Sequence, residues 1–347
     1  EALDEVWQRR EVESVPVASA ADAPQGATET LIAELWAKVL ERPTVGRNAD
    51  FFDLGGDSLS TLKLMFAIEE ALGVELPVTM IYAAPTVARL AAAIDAQDRP
   101  AFSPLVLIKP GEGAPLFIVH GVGGNVMELF ALGRQITAPN PVYGVQARGL
   151  DGHGTPNRSI AAMAEDYLAA IRAAFPQGPY HLAGYSSGGL TAFEMARRLN
   201  AEGAPPASLT LLDTQSHASQ WSTVERWHVF GQRVRHRIAR LLGARPYRRP
   251  PMPTNVPQAL QAVFDATMEA IRGFSPGYFA GAMTVVVPEE PDPRMANPAR
   301  IWRGRCAALH VRKVGGDHRT MLQGAHAAAA ARLLSETLAG PHAVVGM

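Results

Sequence analysis

Hydrophobic positions along the chain follow two grammars, and the change comes near Pro104. Before it, apolar side chains recur at helical spacing. Leu31, Ile32, Leu35, Trp36, Val39 and Leu40 form one such face, which Pro43 ends. A second helix is expected from Ser58 to Leu72, with Leu59, Leu62, Met65, Phe66 and Leu72 inward and Gly73 supplying a left-handed stop. A third begins after the N-cap Thr86 and buries Val87, Leu90 and Ile94. These spacings predict a small all-α bundle.

After Pro104, short continuous apolar runs alternate with helical patterns. Leu105–Ile108, Leu116–His120, Val142–Val145, His181–Gly184, Leu209–Asp213, Val285–Val287 and Leu309–Val314 read as strands, and Ser159–Phe175 and Leu190–Ala201 as helices. Continuous rather than alternating apolar strands predict a mostly parallel sheet covered on both faces, with ligands at the carboxyl ends of the strands. The stretch between Asp213 and Val285 is too long for a simple connection, so a helical lid is expected over about 215–280. Within it, Trp227, Phe230, Val234, Ile238 and Leu241 form an inward stripe, with Arg226, Arg233, Arg237 and Arg240 tending to the other side. Those arginines are either a solvated face or a surface for an acidic partner or an anionic ligand. Leu260, Val263, Phe264, Met268 and Ile271 mark a second lid helix.

Composition narrows the picture. At 347 residues, 47% hydrophobic and 19% charged, the chain buries a real core. A net charge of -1 supplies no global field for nucleic acid or an anionic membrane, and no apolar run spans a bilayer. The single cysteine, Cys306, makes neither an internal disulfide nor a multi-thiolate metal site, so no metal is expected and a reducing, cytoplasmic setting is. The start lacks an initiator Met and a signal pattern, and reads as a piece of a longer polypeptide. Aperiodic stretches at Val15–Ala27 and Ala96–Pro104 read as linkers. The expected division is a linker over 1–27, a helical domain over 28–97, a linker over 98–104 and an α/β domain over 105–340.

One strand runs into Gly184-Tyr185-Ser186-Ser187-Gly188-Gly189 and then a helix. G-x-S-x-G between strand and helix is a nucleophile elbow, which thrusts the Ser186 hydroxyl above the sheet edge. The order serine, acid, histidine then points to Asp213, at the end of the next strand, and His318, in the glycine loop after the last strand. Asp317 is a loop or cap residue, since adjacent side chains do not readily form the Asp–His hydrogen bond. The loop His120-Gly121-Val122-Gly123-Gly124-Asn125 and the residue after the nucleophile predict an oxyanion hole from the backbone N–H groups of Val122 and Ser187. His120 is expected to shape the loop. That loop lacks the third glycine of a dinucleotide fingerprint, which argues against a reductive domain.

The segment Asp50-Phe51-Phe52-Asp53-Leu54-Gly55-Gly56-Asp57-Ser58-Leu59 resembles the carrier-protein signature of nonribosomal peptide and polyketide synthases. The resemblance implies a covalent 4′-phosphopantetheine arm on Ser58 and a phosphopantetheinyl transferase as partner. Read without it, Asp57-Ser58 is a helix N-cap, which leaves both aromatics unexplained. Phe117–Asn125, Gly184–Gly189, Leu209–Asp213 and Gly315–His318 look like the thioesterase domain, an α/β hydrolase, that terminates such assembly lines. That likeness implies a carrier–thioesterase didomain working with upstream synthase modules of the same or a docking polypeptide. It takes an acyl or peptidyl thioester from Ser58 through an acyl-enzyme on Ser186, with release by hydrolysis or intramolecular cyclisation. An editing thioesterase, or a carrier and docking module with an inactive hydrolase half, is the alternative. The fused carrier argues against the first and the intact Ser186, Asp213 and His318 against the second.

Overall fold

A computed structural model describes residues 22–340, except 57, 74–75, 77–79, 97–101, 219–220, 222, 225, 228, 232–256 and 293–294; the side chains of 58, 59, 62, 82 and 83 also lie outside the description. The chain divides into two compact units, Glu1–Ala101 and Phe102–Met347.

The first unit is helical: α1 (Gly26–Val39), α2 (Ser58–Leu72), a single turn α3 (Met80–Ala83) and α4 (Val87–Asp95). Thr86 caps α4, its Oγ1 accepting from Arg89 N–H at 3.3 Å. Ile32 and Trp36 of α1 are buried with Phe51, and the Trp36 and Phe51 rings stack at 5.3 Å. The inward face of α2 differs from expectation. Phe66 is half exposed, and Thr61, Leu64, Met65 and Ile68 are buried in its place. Those four recur at i, i+3, i+4 and i+7, a complete helical face, and Phe66 lies about 100° further round from Met65.

The second unit is built on a seven-stranded sheet of order β1-β3-β2-β4-β5-β6-β7. Its strands are β1 (Leu105–Lys109), β2 (Leu116–Val119), β3 (Val142–Val145), β4 (His181–Tyr185), β5 (Ser208–Leu212), β6 (Phe279–Pro288) and β7 (Cys306–Val314). All neighbouring pairs from β3 to β7 are parallel, and only β1 runs antiparallel, against β3. The connection 110–115 is too short for a parallel crossover, which needs a dozen or more residues, so the chain starts on an edge and turns back. Full coverage holds at the centre, where β2 and β4 are buried throughout, and fails at the edge strand β7, most of whose residues are exposed. β6 and β7 also run longer than their apolar runs, because exposed and polar residues continue the ladder.

The helices are α5 (Met127–Arg134), α6 (Ile160–Ala174), α7 (Gly188–Ala201), α8 (Gln258–Gly273), α9 (Pro298–Trp302) and α10 (Gly324–Leu338). α6 packs on α7, and α10 on α5. Ser159 caps α6 by accepting from Ala162 N–H. Phe117, Tyr167, Phe193 and Trp302 join the strands in the main core.

In the lid region, α8 buries Val263, Ala266, Thr267 and Ala270. The stripe expected upstream is not inward where it is described. Trp227 and Phe230 are 68% and 57% exposed and pair edge to face with each other, whereas Val229 and Trp221 enter the core. Val229 lies between the two aromatics in sequence, so the buried face of this helical segment is turned away from the one that the large side chains suggest. Val234, Ile238, Leu241, Arg233, Arg237 and Arg240 lie outside the described residues. Among the described residues, no helix is long and apolar enough to cross a membrane.

Candidate active site

Parallel pairing sets three strand ends side by side. Val119 pairs with Gly184, Tyr185 with Leu212, and Leu212 with Val286, so the residues following β2, β4 and β5 share one edge of the sheet. Ser186 follows β4 at φ +55°, in the left-handed region that a side chain rarely adopts. Its N–H donates to Leu212 O at 2.9 Å, which holds the elbow to β5. The flanking glycines are sterically required. A Cβ on Gly184 would lie 2.4 Å from Gly188 O, and one on Gly188 would lie 2.1 Å from His120 O and 2.4 Å from Val119 O. The turn closes only because the strand and the oxyanion loop approach bare backbone.

Asp213, also at positive φ (+43°), is 4% exposed, and its N–H donates to Val286 O. Two adjoining strand ends thus hold a residue in a sparsely populated conformation, the kind of strain that clusters at functional sites. From the loop after β7, His318 Nδ1 donates to Asp213 Oδ2 at 2.6 Å. This fixes the tautomer and leaves Nε2 as the ring's acceptor. Tyr185, immediately before Ser186, stacks on the His318 ring at 5.1 Å and donates its hydroxyl to His318 O at 2.5 Å. Asp317 turns the other way: its Oδ1 accepts from Arg319 N–H, Thr320 N–H and the Thr320 hydroxyl, which makes it a cap for the next turn.

Ser186, Asp213 and His318 line one cavity of about 820 Å³, together with Val122 and Ser187. Met268 and Ile271 of α8 and Trp221 add apolar wall. The oxyanion loop is anchored from beneath by His120. Its Nδ1 meets Gly121 O at 2.5 Å and its Nε2 meets the Tyr167 hydroxyl at 2.6 Å. Because a carbonyl only accepts, Nδ1 carries the proton and Nε2 accepts from Tyr167. Complete burial lowers the His120 pKa to about 4, so the ring is a neutral strut rather than a base, as expected for a loop-shaping residue.

Two participants escaped the sequence reading. Tyr185 occupies the variable position of the elbow, and only the fold brings the loop of His318 over it. Glu128 lies in the first turn of α5, seven residues past Gly121, and lines the cavity. A carboxylate in the first turn of the helix after that loop is the sequence signal that could have found it. Among the described residues, no group of three or more His, Cys, Asp or Glu side chains is placed to hold a metal.

In the helical unit, Ser58 is the first residue of the 15-residue helix α2. The preceding loop is folded around Phe51, whose carbonyl accepts from Gly56 N–H at 2.9 Å and whose ring lies so close to Gly56 that a Cβ there would meet it at 2.3 Å. This accounts for the aromatic that a simple N-cap left unexplained. A serine opening a long helix suits a phosphodiester, which the helix N-terminus stabilises. The Ser58 side chain lies outside the description.

Residues 114–338 match the thioesterase domain profile, and residues 30–94 match that of the phosphopantetheine attachment site. The dimodular nonribosomal peptide synthase of Bacillus subtilis is 39% identical over 192 residues, which cover 55% of this chain and 8% of that protein. Enterobactin synthase component F of Escherichia coli is 33% identical over 208 residues, covering 58% of this chain and 16% of that protein. The chain therefore spans less than a fifth of the length of these relatives. Among solved structures, a four-domain nonribosomal peptide synthetase bound to AMP and glycine aligns with 94% of this chain and 27% of its own, at TM-score 0.57 and 22% identity. A thioesterase domain from the nocardicin cluster aligns over 68% of this chain and 99% of its own, at TM-score 0.51 and 21% identity. At these identities the structures speak for the α/β-hydrolase fold of the second unit.

Proposed function

Because the chain belongs to the thioesterase domain family and carries a phosphopantetheine attachment domain before it, we propose that it releases an acyl or peptidyl product of a synthase through a Ser186 acyl-enzyme. The observation that carries this reading is the Asp213–His318 hydrogen bond within the cavity that Ser186 lines. Ser186 Oγ attacks the acyl carbonyl as His318 Nε2 takes its proton. Buried Asp213 stabilises the imidazolium and holds its orientation. The Val122 and Ser187 N–H groups face the developing oxyanion, each donor contributing about 3–4 kcal/mol. His318 then returns its proton to the leaving group, and water or a nucleophile of the acyl chain, activated by the same imidazole, releases the product.

The arm on Ser58 supplies the thioester and makes delivery intramolecular, at about millimolar effective concentration for a short flexible tether. In this reading the chain takes its arm from a phosphopantetheinyl transferase and its acyl group from upstream synthase modules.

A fluorophosphonate labels the wild-type protein and not Ser186→Ala, and coenzyme A with a phosphopantetheinyl transferase adds one phosphopantetheine mass to wild type and none to Ser58→Ala. Labelling of Ser186→Ala removes the nucleophile; mass gain in Ser58→Ala removes the attachment point.

A further inference from the structure

We propose that Glu128 is a subsite for a positively charged nitrogen on the acyl chain, so that the enzyme takes amine-bearing acyl groups in preference to neutral ones. The inference deepens the acyl-enzyme reading and rests on it.

Glu128 stands in the wall of the cavity that holds Ser186 and His318. Its side chain is open to that space, and no described residue forms a hydrogen bond or ion pair with it. Its Oε2 lies over the oxyanion loop, 3.6 Å from where a Cβ on Gly121 would sit, and the Tyr185 ring lies 3.2 Å from the same point. A free carboxylate there has a cost. The transition state places negative charge on an oxygen held by this same loop, and a like charge nearby raises its energy. An isolated carboxylate close to an oxyanion hole is therefore anti-catalytic until something neutralises it.

The charged groups around Glu128 do not remove the problem. His318 is the nearest cationic candidate, but it is engaged with Asp213 and is neutral when it acts as base. Arg319, next in the loop, is exposed and makes no ion pair with Glu128. The Tyr185 hydroxyl is committed to His318 O. Loss of hydration raises the Glu128 pKa, and the charges of His318 and Arg319 pull it back. An ammonium group carried in by the substrate resolves this conflict, because it pairs with the carboxylate and shields the oxyanion when the acyl chain is in place. Substrate charge then acts on the transition state as well as on binding.

The test uses full-length protein with matched N-acetylcysteamine thioesters, one set bearing a primary amine placed progressively farther from the carbonyl, the other its N-acetylated twins. Wild type is expected to favour the amine at one chain length by about tenfold or more in kcat/KM. Glu128→Gln, nearly isosteric, is expected to lose that preference and to turn over the neutral twin faster than wild type does. An unchanged amine-to-twin ratio, or equal slowing of both, overturns the inference. Fluorophosphonate labelling in the same preparations separates the two readings. Labelling retained with an unchanged ratio overturns the Glu128 subsite alone, and no labelling of wild type overturns the acyl-enzyme on which it depends.

Discussion

The chain carries two serines of interest at the start of helices, and their surroundings are opposites. Ser58 is the first residue of an ordinary helix, after a loop held by an apolar ring. Ser186 precedes its helix in a strained left-handed turn, fenced by glycines that admit no Cβ, and lines the same cavity as a histidine held to a buried carboxylate. The contrast fits the role proposed above for each hydroxyl. One that accepts a group from a separate enzyme needs only to be presented, since the partner brings the base. One that attacks unaided needs its own base, oxyanion donors and a fixed direction of approach, and strain and burial supply these.

The sharpest way to break the comparison is Asp213→Asn. It leaves the geometry of the turn in place and favours the wrong histidine tautomer, so kcat/KM for thioester cleavage is expected to fall by ~10⁴-fold, while pantetheine loading of Ser58 proceeds at the wild-type rate. Loss of loading as well would mean that the two serines are not chemically independent. Gly188→Ala comes next. A methyl group 2.1 Å from a backbone carbonyl forces the elbow and the oxyanion loop apart, and a loss of about 3 kcal/mol or more is expected in denaturant unfolding of the α/β unit. An unchanged midpoint would show that the turn has slack.

A third test concerns His120. Its folded pKa of about 4 lies below the ordinary value of 6.5, so the unfolded chain binds more protons between those values and stability falls with acid. The contribution is complete above about pH 6.5 and lost progressively down to about pH 4, amounting to ~3 kcal/mol at most. A His120→Gln variant whose unfolding free energy follows the wild-type pH dependence through this window would remove His120 as the cause.

Much of this site is legible in the sequence because its parts are local patterns. The elbow is a five-residue motif, Asp213 ends an apolar strand, and His318 follows one, so strand order alone brings them to one edge. What was not legible depends on phase or on distant packing. Phe66 and Trp227 look like core by size, yet the buried faces are set by Leu64, Met65 and Ile68 and by Val229, which their neighbours on other elements select. The antiparallel β1 follows from a six-residue connection rather than from its own apolar run. The stack of Tyr185 on His318 joins residues 133 positions apart, and no spacing rule announces it.

The contact of Gly188 with the carbonyls of Val119 and His120 reaches beyond steric fit. It welds the turn of Ser186 and the loop after β2 into a single unyielding floor, itself braced from below by a neutral imidazole and a phenol. Evolution, or a protein engineer, has no room to retune that floor piecemeal. Variety in what such an enzyme accepts has to come from the walls, which side chains such as Met268 and Ile271 line.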